Sequence, residues 1–309
     1  MIYLLMFFIS LFFIWLGLSI KENKMIKKFF IVIGLIIPCL MAGFRGMTVG
    51  TDTSGYVWNL YINAKNIKHF SGMISFSNWL YYSKDYLYLL ITYVIGHNNL
   101  SFQLLLFIYE LLIVIPIFIA LNVNKKDDRD ILFGMFLFYM TFYNLSLNMV
   151  RQSIAISFAV LSFSILKNKN IKHRYLKSFI LLLIGYGFHD TSLFAILIAI
   201  LYILFNSKKI LRKNKKFILF IIICLSFCFL IFYKQILTLI AAIGLYSKAD
   251  MYLIKYANFD FNYLGTLRNL FILIIVINFK KKYNENHENY EFIVSTAYID
   301  VLIGLLGTF

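Results

Sequence analysis

Long apolar runs, separated by short basic connections, fill most of this chain. The first covers residues 3–20 and the second 29–44, with Lys21, Lys24, Lys27 and Lys28 between them. Residues 45–85 are the longest polar stretch, mixing Gly, Ser, Asn and Lys with Trp58, Trp79 and the pair Tyr81 and Tyr82. Such aromatic residues favour the headgroup zone, so this outer loop is expected to lie on the membrane. The run 86–96 is shorter than the ~20 apolar residues that span a bilayer, and reads as an interfacial or re-entrant helix. Leu100–Leu121 is long enough to cross. Runs at 131–149 and 151–166 predict one hairpin, and runs at 175–188 and 191–205 a second, tighter one. Spans follow at 217–233 and 263–279, on either side of an outer loop at 241–262, and a last run covers 292–309.

Lysine and arginine collect in the connections: Lys125, Lys126 and Arg129, then NKNIKHRYLK at 168–177, then Lys208 to Lys216, then Lys280 to Lys282. Basic connections stay on the cytoplasmic side of a membrane. The pattern therefore predicts an all-α, polytopic transmembrane protein with about ten spans and both ends outside. It reads as a single integral membrane domain over residues 1–309 with an outer loop at 45–85.

Composition agrees. The chain is 61% hydrophobic and only 14% charged, more apolar surface than a soluble domain of 309 residues can hide. The net charge of +16 is split among connections between spans, so it is a topology signal and no nucleic-acid partner is expected. Met1 to Ile20 lacks a basic segment ahead of its apolar core, and a retained first span fits better than a cleaved leader. Cys39, Cys224 and Cys228 all fall inside apolar runs and read as small buried hydrophobes, with no disulfide or metal pattern.

The candidate chemistry begins where the second run ends, in AGFRGMTVGTDTSGYVWNLY, residues 42–61. Gly46, Gly50 and Gly55 suit a tight loop that exposes backbone N–H groups. Six of the 30 basic residues are arginine. Arg129, Arg174 and Arg212 sit in basic connections, whereas Arg45, Arg151 and Arg268 oppose the positive-inside bias. Arginine stays charged and grips phosphate through two parallel hydrogen bonds. At a bilayer centre it costs roughly 2.5–3.5 kcal/mol on the insertion scale, so it needs an anion nearby. Asp52, Asp85, Glu110, Asp190, Asp250 and Asp260 are the internal partners on offer. For each arginine alone an internal pair serves as well as a ligand. For the three together a bound polyanionic group, such as an outer-leaflet lipid diphosphate, explains more.

His189, beside Asp190 at a predicted outer turn, suits either proton transfer or a structural hydrogen bond. Asp52 suits a general base or the cap of its own TDTSGY turn. Glu110 lies within a span, where packing, an arginine pair and catalysis are all open. Asp85 and His97 lie beside the short outer helix and carry no assigned role. No cofactor or metal is required.

Three stretches carry a family resemblance. FRGMTVGTDTSGYVWNLY presents an arginine, a G-T-D motif and then Tyr56; LNMVRQSIAISFAV presents Arg151 and Gln152; GYGFHDTSLFAIL presents His189 ahead of Ser192. In these motifs and their order the chain resembles the EpsG/Wzy-type bacterial polysaccharide polymerases over residues 1 to about 210. The resemblance implies a GT-C-like fold in the bacterial cytoplasmic membrane. It implies an enzyme that joins oligosaccharide repeat units carried on undecaprenyl diphosphate, at the outer face. By the same carry-over Arg45 and Arg151 hold the diphosphate, with Gln152 and Tyr56 in the substrate site and Arg268 filling the role of a later arginine. His189 or Asp52 is then the base. Partners would be the lipid-linked oligosaccharide, membrane lipids and other polysaccharide assembly proteins. The rival readings are a transporter or flippase of lipid-linked glycans, a membrane glycan ligase or acyltransferase, and a structural assembly subunit. A transporter is expected to show internal repeats and broken helices near the midplane. Here the polar residues bunch on one side.

Overall fold

All elements among the described residues are helices. The structure is a computed structural model that describes residues 2–81, 85–206 and 263–278, with isolated positions at 235, 238, 239 and 242. The chain divides into two compact units, Met1–Ile196 and Leu197–Phe309.

In the first unit α1 (Ile2–Ser19) and α2 (Lys24–Gly43) form an antiparallel hairpin. It closes on two small residues: a Cβ on Gly17 would come within 2.7 Å of Ile31 Cγ1, and one on Gly34 within 2.7 Å of Ile14 Cγ1. Close backbone approach of this kind associates helices in lipid, where apolar burial gives little drive. α2 begins earlier than the apolar run because the Asn23 side chain accepts from the Met25 and Ile26 N–H groups at 2.9 and 3.2 Å.

The chain's two prolines both lie inside helices, Pro38 in α2 and Pro116 in α6 (Phe102–Val123). Each removes the N–H that would bond the carbonyl four residues back. Serines from neighbouring helices take those carbonyls. Ser10 Oγ donates to Gly34 O at 2.6 Å, and Ser157 Oγ lies within hydrogen-bonding distance, 3.0 Å, of Leu112 O. In a helix facing lipid no water is on hand to do this.

Residues 45–85, expected as a loop, hold a π-helical turn at Thr53–Val57, then α3 (Trp58–Asn66) and α4 (Phe70–Tyr81). Polar side chains hid these helices in the sequence. Asn63 Nδ2 donates to Asn59 O one turn back at 2.8 Å, while Leu60, Tyr61 and Ala64 are buried on the other side. α3 packs on α5 (Tyr86–His97), and Tyr61 O–H donates to Leu100 O at 2.7 Å. The short apolar run is thus a helix of 12 residues, as expected.

The run 131–149 divides at Phe142 into α7 (Asp128–Thr141) and α8 (Tyr143–Asn148). Tyr143, fully buried, fixes the break: its ring meets Phe7 edge-on at 5.2 Å and its hydroxyl donates to Pro38 O at 2.7 Å. α9 (Val150–Lys167) and α10 (Arg174–Phe188) form the next hairpin, followed by α11 (Ser192–Asn206). Four described helices, α1, α2, α6 and α9, are long and apolar enough to cross a bilayer. α5 and the first part of α11 are shorter apolar helices. The expected spans at 217–233 and 292–309, the loop at 241–262 apart from position 242, and Cys224 and Cys228 lie outside the described residues. Cys39 is buried with a free thiol. In the second unit α12 (Tyr263–Asn278) buries Asn269 and Leu273.

The first unit has two chemically different ends. At one, the connection before α7 lies within electrostatic reach of the α1–α2 turn, since Asp128 feels Lys21 and Lys27. Asn124 and Asn168 tie the last turns of α6 and α9 together there, donating to Ser164 O at 2.8 Å and Val123 O at 2.9 Å. The antiparallel hairpins carry the loop after α2, the start of α9 and the α10–α11 turn to the other end.

Candidate functional site

The other end is built from four segments: the loop after α2, the N-terminus of α5, the N-terminus of α9 and the α10–α11 turn. Gly50 seats the loop. Its φ of +87° is one that other residues rarely adopt, and a Cβ there would stand 2.1 Å from Leu147 O at the end of α8. Among the described glycines it alone has positive φ, so Gly46 and Gly55 are not needed for the turn in the way the sequence suggested. Thr51 N–H then donates to Asn148 Oδ1 at 3.1 Å. Asp52 follows, and Val150 N–H donates to its Oδ2 at 3.2 Å. The carboxylate makes no cap hydrogen bond in its own turn; it serves the positive end of α9 instead. Burial pushes the Asp52 carboxyl above the ordinary aspartate range, with Arg151, the Val150 N–H and Arg45 pulling the other way.

Arg151 lies in the first turn of α9. Its Nη1 donates to Asp85 Oδ2 at 2.5 Å, and its guanidinium lies 3.7 Å from the centre of the Tyr56 ring and 6.0 Å from that of Tyr88. Asp85 is 1% exposed. An internal carboxylate therefore pairs with this arginine. Asp85, one of six carboxylates the sequence offered as internal partners, is the one it meets, 66 residues away along the chain. Gln152 is half-buried beside it.

Arg45 stands just past the end of α2. Gly43 of α2 touches Gln103 and Phe107 of α6, and Glu110 lies one turn further along that same face of α6. Glu110 is 2% exposed, with Ser146 Oγ 3.2 and 3.3 Å from its two oxygens. Burial lowers the Arg45 pKa, and the Glu110 carboxylate is the main influence opposing that. The two do not form an ion pair within 4.0 Å, and Arg45 Nε is buried with no hydrogen-bond partner among the described residues. Arg45, Asp52 and Arg151 are therefore in one electrostatic neighbourhood, with Asp52 sensing both guanidinium groups.

His189 ends α10. Thr191 N–H donates to its Nδ1 at 3.2 Å, with Thr191 Oγ1 3.1 Å away. An Nδ1 that accepts leaves the ring proton on Nε2. Gly187, two residues earlier, is packed by Leu87, two residues after Asp85. The histidine turn is thus joined to the same end through α5. Arg268 lies in α12 of the second unit, and its side chain is outside the described residues.

The arrangement can hold an anion at Arg45, fix Arg151 rigidly, and offer two groups able to take a proton. Glu110 and Asp85, each within reach of one arginine, are two of the six internal carboxylates that the sequence offered as partners without saying which arginine each would meet. Their signal was there in part: both are carboxylates in or beside apolar runs.

A model of the EpsG family matches residues 27–309 of the chain. No curated protein and no solved structure matches it.

Proposed function

Since the chain belongs to the EpsG family, and is thereby a membrane protein of the polysaccharide-polymerase type, we propose that it joins lipid-diphosphate-linked oligosaccharide repeat units at the outer face of the bacterial cytoplasmic membrane. The acceptor sugar hydroxyl attacks the anomeric carbon of the donor. The bond from that carbon to the diphosphate oxygen breaks, and the electron pair leaves with the diphosphate. Two tasks follow: stabilising the charge that develops on the leaving group, and removing the hydroxyl proton.

The observation that carries this reading is Arg45. Its guanidinium is half-buried at the end opposite Lys21 and Lys27, its Nε lacks a partner among the described residues, and Asp52 is within its electrostatic reach. Arg151, already bound to Asp85, holds the site's shape and adds its field. Asp52, whose carboxyl burial raises above the ordinary aspartate range, is the better-supported base; His189 is the second candidate through Nδ1, which must first give up its bond from Thr191 N–H.

Arg45→Ala in the producing cell is expected to abolish long polymer on a gel, with the protein at normal abundance in membranes and single lipid-linked units accumulating at the outer face. Arg45→Lys keeps the charge and loses the fork, and is expected to give short chains. Long polymer in Arg45→Ala cells overturns the proposal. Accumulation of units at the inner face points to the flippase reading instead.

A further inference from the structure

Tyr88 and Tyr109 are stacked face to face, with ring centres 4.5 Å apart and planes 12° apart, and both are buried. Their hydroxyls differ. Tyr109 Oη lies 2.5 Å from Thr92 Oγ1 and 3.2 Å from Tyr88 O. Tyr88 Oη is buried with no hydrogen-bond partner among the described residues, and the residue is 0% exposed. Buried hydroxyls are nearly always bonded, and one that is not weakens the fold. Phenylalanine would fill the same stack without that cost.

The Tyr88 hydroxyl also sits centrally. It is within electrostatic reach of Arg151, Asp52 and Tyr56, and Arg45 feels it in turn. Arg45 Nε, in the same neighbourhood, is also buried without a hydrogen-bond partner among the described residues. The charges around them explain why a neutral donor would be useful. Asp85 already engages Arg151, Glu110 faces Arg45, and Asp52 adds a third carboxylate. Carboxylates this close offset part of the attraction that the two guanidinium groups offer a polyanion. An O–H donor adds a bond to a phosphoryl oxygen without adding charge.

We propose that Tyr88 is a substrate-binding residue whose hydroxyl donates to a phosphoryl oxygen of the lipid diphosphate, beside the bond from Arg45 Nε. This rests on the reading of Arg45 as a diphosphate ligand. The ring stack with Tyr109 and the packing on Tyr56, 5.7 Å between centres, hold the hydroxyl in place before substrate arrives.

The test uses the full-length protein in detergent, with farnesyl diphosphate as the probe, and compares wild type, Tyr88→Phe and Arg45→Ala. Tyr88→Phe is expected to weaken probe binding about 10- to 100-fold, the range for a hydrogen bond to a charged group, while its melting temperature holds or rises. In cells it is expected to shorten polymer. A clear fall in melting temperature overturns the inference, because it would mean the hydroxyl serves the fold. Unchanged binding in Tyr88→Phe with binding lost in Arg45→Ala also overturns it and leaves the diphosphate reading standing. Unchanged binding in Arg45→Ala brings down that reading, and this inference with it.

Discussion

Two ion pairs at opposite ends of the first unit are nearly equal in length and unequal in consequence. Lys125 Nζ lies 2.6 Å from Asp128 Oδ1, with the side chains 31% and 40% exposed. Arg151 Nη1 lies 2.5 Å from Asp85 Oδ2, with the side chains 18% and 1% exposed. The first is solvated and spans three residues of one connection. Its partner Asp128 is held below the ordinary aspartate range chiefly by the Lys125 hydrogen bond. Such a pair adds little to stability. The second joins α5 to α9 in a place where Asp85 is sealed from water and Arg151 is largely so. Its members depend on each other, and the Tyr56 face on Arg151 tightens the dependence. Length alone does not say what an ion pair does; burial decides.

The largest effect that would break this comparison is at Asp85. Asp85→Ala strands a buried guanidinium and is expected to cost about 3–5 kcal/mol by thermal unfolding in detergent. The double variant Asp85→Leu/Arg151→Met removes both charges and should recover most of that stability while polymer stays lost. Recovery of polymer would show that Arg151 acts only through the fold. Next come the serines under the prolines. Ser10→Ala leaves a helix carbonyl without a donor and is expected to cost about 1–3 kcal/mol, while Ser157→Ala, whose hydroxyl proton has a nearer acceptor in Ile154 O at 2.7 Å, should cost less. A neutral result would mean that other groups take up Gly34 O and Leu112 O. Lys125→Ala, the exposed counterpart of Asp85→Ala, should cost no more than about 1 kcal/mol.

Asp52→Asn gives the smallest shift in stability, and its sign is informative. The folded carboxyl has a pKa above the ordinary value of 3.8, so folding disfavours its charged form. Its contribution is intact below 3.8 and is lost as pH rises through the folded value. Near neutral pH Asp52→Asn should therefore be slightly more stable than wild type, with an amide oxygen still able to accept from Val150 N–H. The advantage should vanish in acid. If Asp52 is the base, the same variant makes no polymer at any pH; if polymer persists, His189 takes that role.

Helix positions were largely legible. The apolar run beginning at Leu100 became α6 at Phe102–Val123, with Ser101 Oγ accepting from Leu104 N–H at 3.2 Å as its cap. The break before His189 and the basic connections were equally plain. Rotation of each helix about its axis was not legible. In a membrane helix the face toward lipid is as apolar as the face toward protein, so the periodicity that orients a soluble helix fades. Asp85 could not be matched to Arg151, nor Ser157 to Pro116, without that rotation. Tyr88 was one tyrosine among 22, with nothing local to single it out.

The sequence by itself determined the solvent, the helices and the two-ended distribution of charge, because these follow from hydrophobic length and from where lysine can rest. It also brought Arg45, Asp52, Arg151 and His189 into view as oddities. Tertiary structure decided which groups each of them faces. It bound Arg151 to Asp85, turned Asp52 toward the start of α9, and left Arg45 Nε and the Tyr88 hydroxyl buried without partners among the described residues. The reason is that a hydrogen bond depends on direction as well as identity, and direction across dozens of residues exists only once the helices have packed.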